Sequence, residues 1–265
     1  MGKELALVTG ASSGIGYSLA QELANRGYDL IVCSAGDRLA GAAEDFRRAA
    51  STVVEVQADL ATYDGVMELW NRVEALNRPL AIACLNAGVG VGGLFRDTDL
   101  SEELNMVQLN CTGTVHLAKH IVRHMTARNA GHILFTASIA GEMVAPREAV
   151  YAATKAFDLS FAHSLRYELR DTKITVTALQ PGPTDTDFFH RAHMDNTQVG
   201  SEGKKESQPE EVAKQGIEAL LKGEDHVYAA SMKTKMEGMM ANIVPGSVKG
   251  AMHEKMAKPK TGTEG

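Results

Sequence analysis

The residues able to do chemistry fall into two groups. The first is the run Thr9-Gly10-Ala11-Ser12-Ser13-Gly14-Ile15-Gly16, which joins an apolar stretch to a helical one. Gly10 permits the turn, Gly14 lets backbone approach a phosphate, and Gly16 allows close helix–strand contact. The free N–H groups at the helix start then suit a pyrophosphate. A ligand-free glycine turn has the same spacing, and three glycines at these offsets arise by chance about 0.2 times at ordinary glycine usage. Its place between a strand and a helix lifts the run above that background. The second group is Tyr151 and Lys155, four apart and so on one face of a helix, with Ser138 13 residues before the tyrosine. The Tyr–Lys spacing alone is expected about 0.3 times by chance and is usually a surface pair; adding the serine lowers this to about 0.02. A phenol titrates near pH 10, but an ammonium about 4 Å away, at an effective dielectric near 20, would lower that by roughly three units. The pair reads as a general acid or base brought towards neutral pH.

Both groups need a scaffold that brings residue 10 to residue 151. Apolar runs predict strands at 5–8, 30–33, 53–56, 80–85, 132–136, 174–179 and 226–229. Helical spacing occupies 14–26, 38–50, 63–76, 101–128, 148–170 and 208–222. Alternation at this rhythm predicts right-handed βαβ units, and near-continuous apolar strands predict a sheet covered on both faces. The fold class is therefore α/β, a Rossmann-type doubly wound parallel sheet of about seven strands. No linker divides the chain before residue 257, so one dinucleotide-binding domain is expected over 1–257, with 258–265 a disordered tail. Ligands of such sheets lie beyond the carboxyl ends of the strands, where strand order reverses. The segments that follow strands then matter most: Ser34 to Arg38, Asp59 and Leu60, Asn86-Ala87-Gly88, Ser138, and Pro181 onward.

Together the glycine turn, Asn86-Ala87-Gly88, Asn110, the Ser138/Tyr151/Lys155 set and Pro181-Gly182-Pro183-Thr184-Asp185-Thr186 resemble the short-chain dehydrogenase/reductase family, in its compact single-domain subgroup. The resemblance covers about residues 3–230, and departs at Leu85, where many members carry a second Asn. It implies an NAD(P)-dependent oxidoreductase interconverting a carbonyl and an alcohol. Tyr151 would be the acid in reduction and the base in oxidation, Ser138 would hold the substrate oxygen, and Lys155 would also bond the nicotinamide ribose. Asn110 implies a water linking Lys155 to solvent. By position Asp59 would bond the adenine amino group, and Asn86, Ala87 and Gly88 would lie against the adenosine. Thr186 would bond the carboxamide. Read alone, Asp59 is an ordinary helix cap.

The cofactor expected is NADP(H) in preference to NAD(H). An NAD enzyme of this fold usually ends its second strand in an acid that bonds both ribose hydroxyls. Here that strand ends Cys33-Ser34-Ala35-Gly36, with no acid before Asp37, while Ser12, Ser13, Ser34 and Arg38 suit a 2′-phosphate. A rival reading is a catalytically silent NADP(H)-binding regulator or scaffold, and the intact Ser138, Tyr151 and Lys155 argue against it.

Composition narrows the rest. With 265 residues, 44% hydrophobic, a net charge of −6 and no Lys/Arg run beyond two, the chain has no electrostatic footprint for nucleic acid. No targeting segment or apolar run of membrane-spanning length is present, so a cytoplasmic chain is the default. Cys33, Cys84 and Cys111 form no CxxC pair and read as small buried hydrophobes. His116, His120 and His124 repeat at helical spacing, but no carboxylate or Cys completes a ligand set, so no metal is expected. In the family, the helices at 101–128 and 148–170 make subunit contacts, which implies a homodimer or homotetramer. The long connection 184–207, with Phe188 and Phe189, reads as a substrate lid. The Met-rich end (Met232, Met236, Met239, Met240, Met252, Met256) reads as two amphipathic helices, with a membrane-surface role weaker for want of aromatic anchors.

Overall fold

The computed structural model describes residues 3–50, 52–192, 194, 197, 208–229 and 246–258. Its strands are β1 (Leu5–Thr9), β2 (Asp29–Ser34), β3 (Val53–Gln57), β4 (Leu80–Leu85), β5 (Gly131–Thr136), β6 (Ile174–Pro181) and β7 (His226–Ala229). They form one sheet in the order β3-β2-β1-β4-β5-β6-β7, with every pairing parallel. Strand order reverses between β1 and β4, which opens a crevice at their carboxyl ends.

Alternate residues along each strand serve opposite faces. Leu5, Leu7, Ile31 and Val176 pack with Leu69 and Trp70 of α3 (Tyr63–Ala75), Leu117 and Ile121 of α5 (Thr114–Thr126) and Ala162 of α6 (Ala149–Glu168). Ala6, Val8, Leu30, Val32 and Leu179 pack with Leu19 and Leu23 of α1 (Gly14–Asn25), Phe46 of α2 (Leu39–Phe46), and Val212 and Ile217 of the later helix Pro209–Lys222. This two-sided burial is why the strands read as unbroken apolar runs. The doubly wound sheet of seven parallel strands agrees with the architecture expected from the sequence.

The helix expected over 101–128 is not one α-helix. It comprises α4 (Leu100–Val107), a wider π-helical stretch over Gln108–Gly113, and then α5. The apolar periodicity runs across the stretch without a proline, so the sequence pattern does not mark it. Tertiary contacts hold it: Asn110 is fully buried and hydrogen-bonded, and a Cβ on Gly113 would lie 2.1 Å from the Leu60 carbonyl oxygen. The second helix is also shorter than the 38–50 expected.

Beyond β6 the chain makes a short helix α7 (Phe188–Arg191), then α8 (Pro209–Lys222), β7 and α9 (Gly246–Ala257). Most of the expected lid beyond residue 194, the methionines at 232, 236, 239 and 240, and the tail from 259 lie outside the described residues. No described helix is long and apolar enough to cross a membrane.

Candidate active site

A cleft of about 370 Å³ opens at the carboxyl ends of the central strands. The turn after β1 forms its floor. Gly10 has φ +67°, in the left-handed region, and a Cβ on Gly16 would lie 2.2 Å from the Gly10 carbonyl oxygen, so only glycine lets α1 start this close to β1. Helix α1 begins at Ser13 with no side-chain cap and no acid in its first turn. Its free N–H groups and positive dipole end therefore stay available to an anion. Gly10, Ser12, Ser13, Gly14, Ile15 and Gly16 all line the cleft.

The strand ends supply the walls. Ser34 ends β2 and Arg38 follows it, while Asp59 and Leu60 come from beyond β3. Ser12 Oγ and Ser34 Oγ are 2.9 Å apart. Asp37 does not line the cleft; its carboxylate accepts from Gln57 Nε2 at 3.0 Å, on the neighbouring strand. Arg38 is paired with Asp187, Nη1 to Oδ2 at 2.6 Å, at the start of α7. Asp59 does not cap α3, which Thr62 caps through Gly65 N; the Asp59 carboxylate accepts from Ala61 N at 2.9 Å and borders the cleft.

After β4, Asn86, Ala87 and Gly88 line the middle of the cleft. Thr9 Oγ1 fixes this turn, accepting from Asn86 N at 2.9 Å and Ala87 N at 3.0 Å. Pro181, Gly182, Thr184 and Thr186 also line the cleft, and a Cβ on Gly14 of the first turn would lie 3.0 Å from the Thr186 methyl group. Asn110 does not line the cleft. Its amide accepts from Val89 N and donates to Val89 O and Thr154 Oγ1, each at 3.0 Å, so it ties the β4 loop to α6.

Ser138, Tyr151 and Lys155 meet at the inner end. The residue before α6, Glu148, lies one helical turn from Tyr151, which is hydrogen-bonded to Ser138. Burial pushes the Tyr151 phenol well above its ordinary range, and the carboxylates of Glu148 and Asp158 push it further, against the Ser138 hydrogen bond. The net direction is upward, where the Tyr–Lys spacing taken alone suggests a downward one. The Lys155 ammonium is engaged elsewhere, donating to Thr136 O at 2.9 Å and to Asp158 Oδ2 at 3.0 Å.

The lining also includes Glu148 and His253, which the sequence pattern does not single out. His253 Nε2 lies 2.9 Å from Glu148 Oε2 and its Nδ1 3.2 Å from Pro146 O, both side chains being buried. Beside them Arg147 pairs with Glu254 at 3.2 Å, so a histidine–carboxylate contact and a neighbouring ion pair clamp α9 over the start of the catalytic helix. Met256 of α9, Met143, Phe188 and Phe189 give this end an apolar wall, with the Phe188 ring 5.1 Å from that of Tyr151. Local spacing carries no sign of the α9 contacts, since they join residues over a hundred positions apart.

Elsewhere, Cys33 and Cys84 are buried, and burial pushes both thiols up to about 12. Cys111 is half-buried and pushed up to about 11. His116 and His120 of α5 stack on Tyr63 and Trp70 of α3, away from the cleft.

The short chain dehydrogenase family profile matches residues 4–197. The 1-deoxy-11-beta-hydroxypentalenate dehydrogenase of Streptomyces avermitilis is 37% identical over 185 residues, 68% of each chain. A short-chain dehydrogenase from Sphingobium yanoikuyae, solved with NADPH, superimposes with a TM-score of 0.78 at 27% identity, over 84% of this chain and 87% of its own. Actinorhodin polyketide ketoreductase, an F189W variant solved with NADPH, superimposes with a TM-score of 0.75 at 28% identity, over 83% and 90%. The chain belongs to the short-chain dehydrogenase family, and so to the NAD(P)-dependent oxidoreductases that act on alcohol and carbonyl groups.

Proposed function

We propose that the chain is an NADP(H)-preferring oxidoreductase that reduces a ketone or aldehyde on a largely apolar body, or oxidises the corresponding alcohol. The observation that carries this reading is the placement of Ser138, Tyr151 and Lys155 in one cleft with the uncapped start of α1. The residues fit a dinucleotide: the α1 N-terminus takes a pyrophosphate, Asp59 and the Asn86–Gly88 turn flank the adenosine side, and Thr184 and Thr186 come from the loop after β6, Thr186 beside Gly14. A nicotinamide dinucleotide bound there supplies or takes up the hydride.

The chain's own residues handle the proton. In reduction, the substrate oxygen takes the Tyr151 Oη proton while Ser138 donates a hydrogen bond to it, leaving a phenolate that Lys155 steadies. Oxidation runs the same transfer backwards. Asn110 holds Val89 and Thr154 in place and, as the family resemblance implies, would border a water-borne proton path from Lys155 to solvent. Phe188, Phe189, Met143 and Met256 favour an apolar substrate body.

The preference for NADP(H) rests on the end of β2. No acid faces the cleft there, because Asp37 is turned to Gln57, while Ser12, Ser34 and Arg38 offer donors to a 2′-phosphate. Leu104 of α4 and Phe157 of α6 are 55% and 40% exposed, apolar surface suited to a homodimer or homotetramer contact.

The test is consumption of NADPH and of NADH by the purified chain against a panel of bulky and small ketones and aldehydes. The reading expects turnover of bulky apolar carbonyls, faster with NADPH. Tight cofactor binding with no turnover of any carbonyl or alcohol would instead favour the silent binder.

A further inference from the structure

We propose that Asp158 is the counter-ion of Lys155 and, acting through it, keeps Tyr151 a phenol rather than a phenolate. Asp158 is thus a positioning residue that suits the site to donating a proton to a carbonyl. The inference rests on the assignment of Tyr151 and Lys155 given above.

Lys155 Nζ and Asp158 Oδ2 are 3.0 Å apart, one turn along α6, with side chains only 6% and 5% exposed. A lysine ammonium has three N–H groups. One goes to Asp158 and one to Thr136 O. The third is left for the cleft, where a Cβ on Gly88 would lie 3.4 Å from Nζ. The second carboxylate oxygen, Oδ1, has no hydrogen-bond partner among the described residues, so within them the carboxylate is tied to the fold through Lys155.

A buried carboxylate in contact with an ammonium offsets much of the field that the ammonium exerts on a third group. Tyr151 therefore faces a nearly neutral pair rather than a bare cation. The direction of its shift agrees: burial raises the phenol, and Asp158 raises it further. The other titratable groups nearby are Glu148 at the start of α6 and His253 of α9, which is in contact with it; Cys111 of the π-helical stretch faces Lys155 and Asp158. Glu148 is partnered from outside α6, whereas Asp158 draws directly on the lysine that the mechanism uses.

The test needs no substrate. Near-ultraviolet difference spectra of the wild type against Tyr151→Phe, and of Asp158→Asn against Asp158→Asn/Tyr151→Phe, report Tyr151 phenolate up to the highest pH at which circular dichroism shows the proteins folded. Asp158→Asn should increase the ionisation constant of Tyr151 about tenfold, one pKa unit. In turnover, the rising limb of kcat/KM for alcohol oxidation should move to lower pH by the same factor, with cofactor affinity little changed because the asparagine oxygen still accepts from Lys155. Asp158→Ser provides a second neutral variant if the asparagine protein does not fold. No gain in phenolate in a folded neutral variant, even with a changed melting temperature, would overturn the proposal. Failure of the wild type to turn over any carbonyl or alcohol would count against the proposed function, while the phenolate titration would still decide the role of Asp158.

Discussion

Arg38 and Asp187 meet across the mouth of the cleft, Nη1 to Oδ2 at 2.6 Å, although 149 residues separate them in the chain. Arg38 stands at the start of α2, beside the segment read as the 2′-phosphate site, and Asp187 opens α7, which carries Phe188. A 2′-phosphate reaching for Arg38 competes with that carboxylate. The side chains are 57% and 54% exposed, so the pair is worth at most about 1 kcal/mol. Asp187→Asn should therefore improve KM for NADPH by up to about fivefold. KM for NADH should stay as it was. Arg38→Ala should remove most of the NADPH preference, and Ser34→Asp, at the strand end that lines the cleft, should reverse it. Steady-state kcat/KM with both cofactors on one substrate checks all three variants.

The raised phenol sets the pH dependence of the two directions. Carbonyl reduction needs Tyr151 protonated, and a pKa held above its ordinary value keeps it so throughout the neutral range. Reduction should be flat in kcat/KM from about pH 6 to 8 and lose activity only in the alkaline range, as far as Tyr151 governs it. Alcohol oxidation needs the phenolate and should rise with pH over the same interval without reaching a plateau. Profiles of kcat/KM in both directions check this, and an oxidation plateau near neutral pH would contradict it.

His253 and Glu148 form the buried contact that seats α9 on the active site. Removing His253 leaves a buried Glu148 oxygen without its hydrogen-bonding partner, which costs about 1–3 kcal/mol. His253→Ala should lower the melting temperature, release α9 and raise KM for apolar substrates, since Met256 leaves the wall. Binding of the adenosine end should change little, because α9 lies at the opposite end of the cleft. Calorimetry and NADPH titration of the variant give both readings. A variant with unchanged melting temperature and substrate KM would show that the clamp does not hold the helix.

The parts of this site that could be read from sequence are those encoded locally. β1 ends in its glycine turn, strands β4 and β7 have the expected limits, and Tyr151 and Lys155 share a helix face as their spacing requires. What escaped depends on partners distant in sequence. The π-helical stretch at Gln108–Gly113 is held by Val89, Thr154 and Leu60, none of which the periodicity of 101–128 reveals. Arg38 was read as open to a phosphate because nothing near it signals Asp187. Asp158 differs: it stands three residues from Lys155, a spacing at which helical side chains meet, so the ion pair was open to prediction.

The most direct test of the account is the removal of one oxygen atom, Tyr151→Phe. The phenylalanine fills the same space against Phe188, so the cleft and the cofactor site should survive. NADPH affinity should stay within a few-fold of the wild type while kcat for carbonyl reduction falls by about 10²–10⁴, the usual loss for a general acid. Near wild-type kcat in the Tyr151→Phe protein would contradict the account.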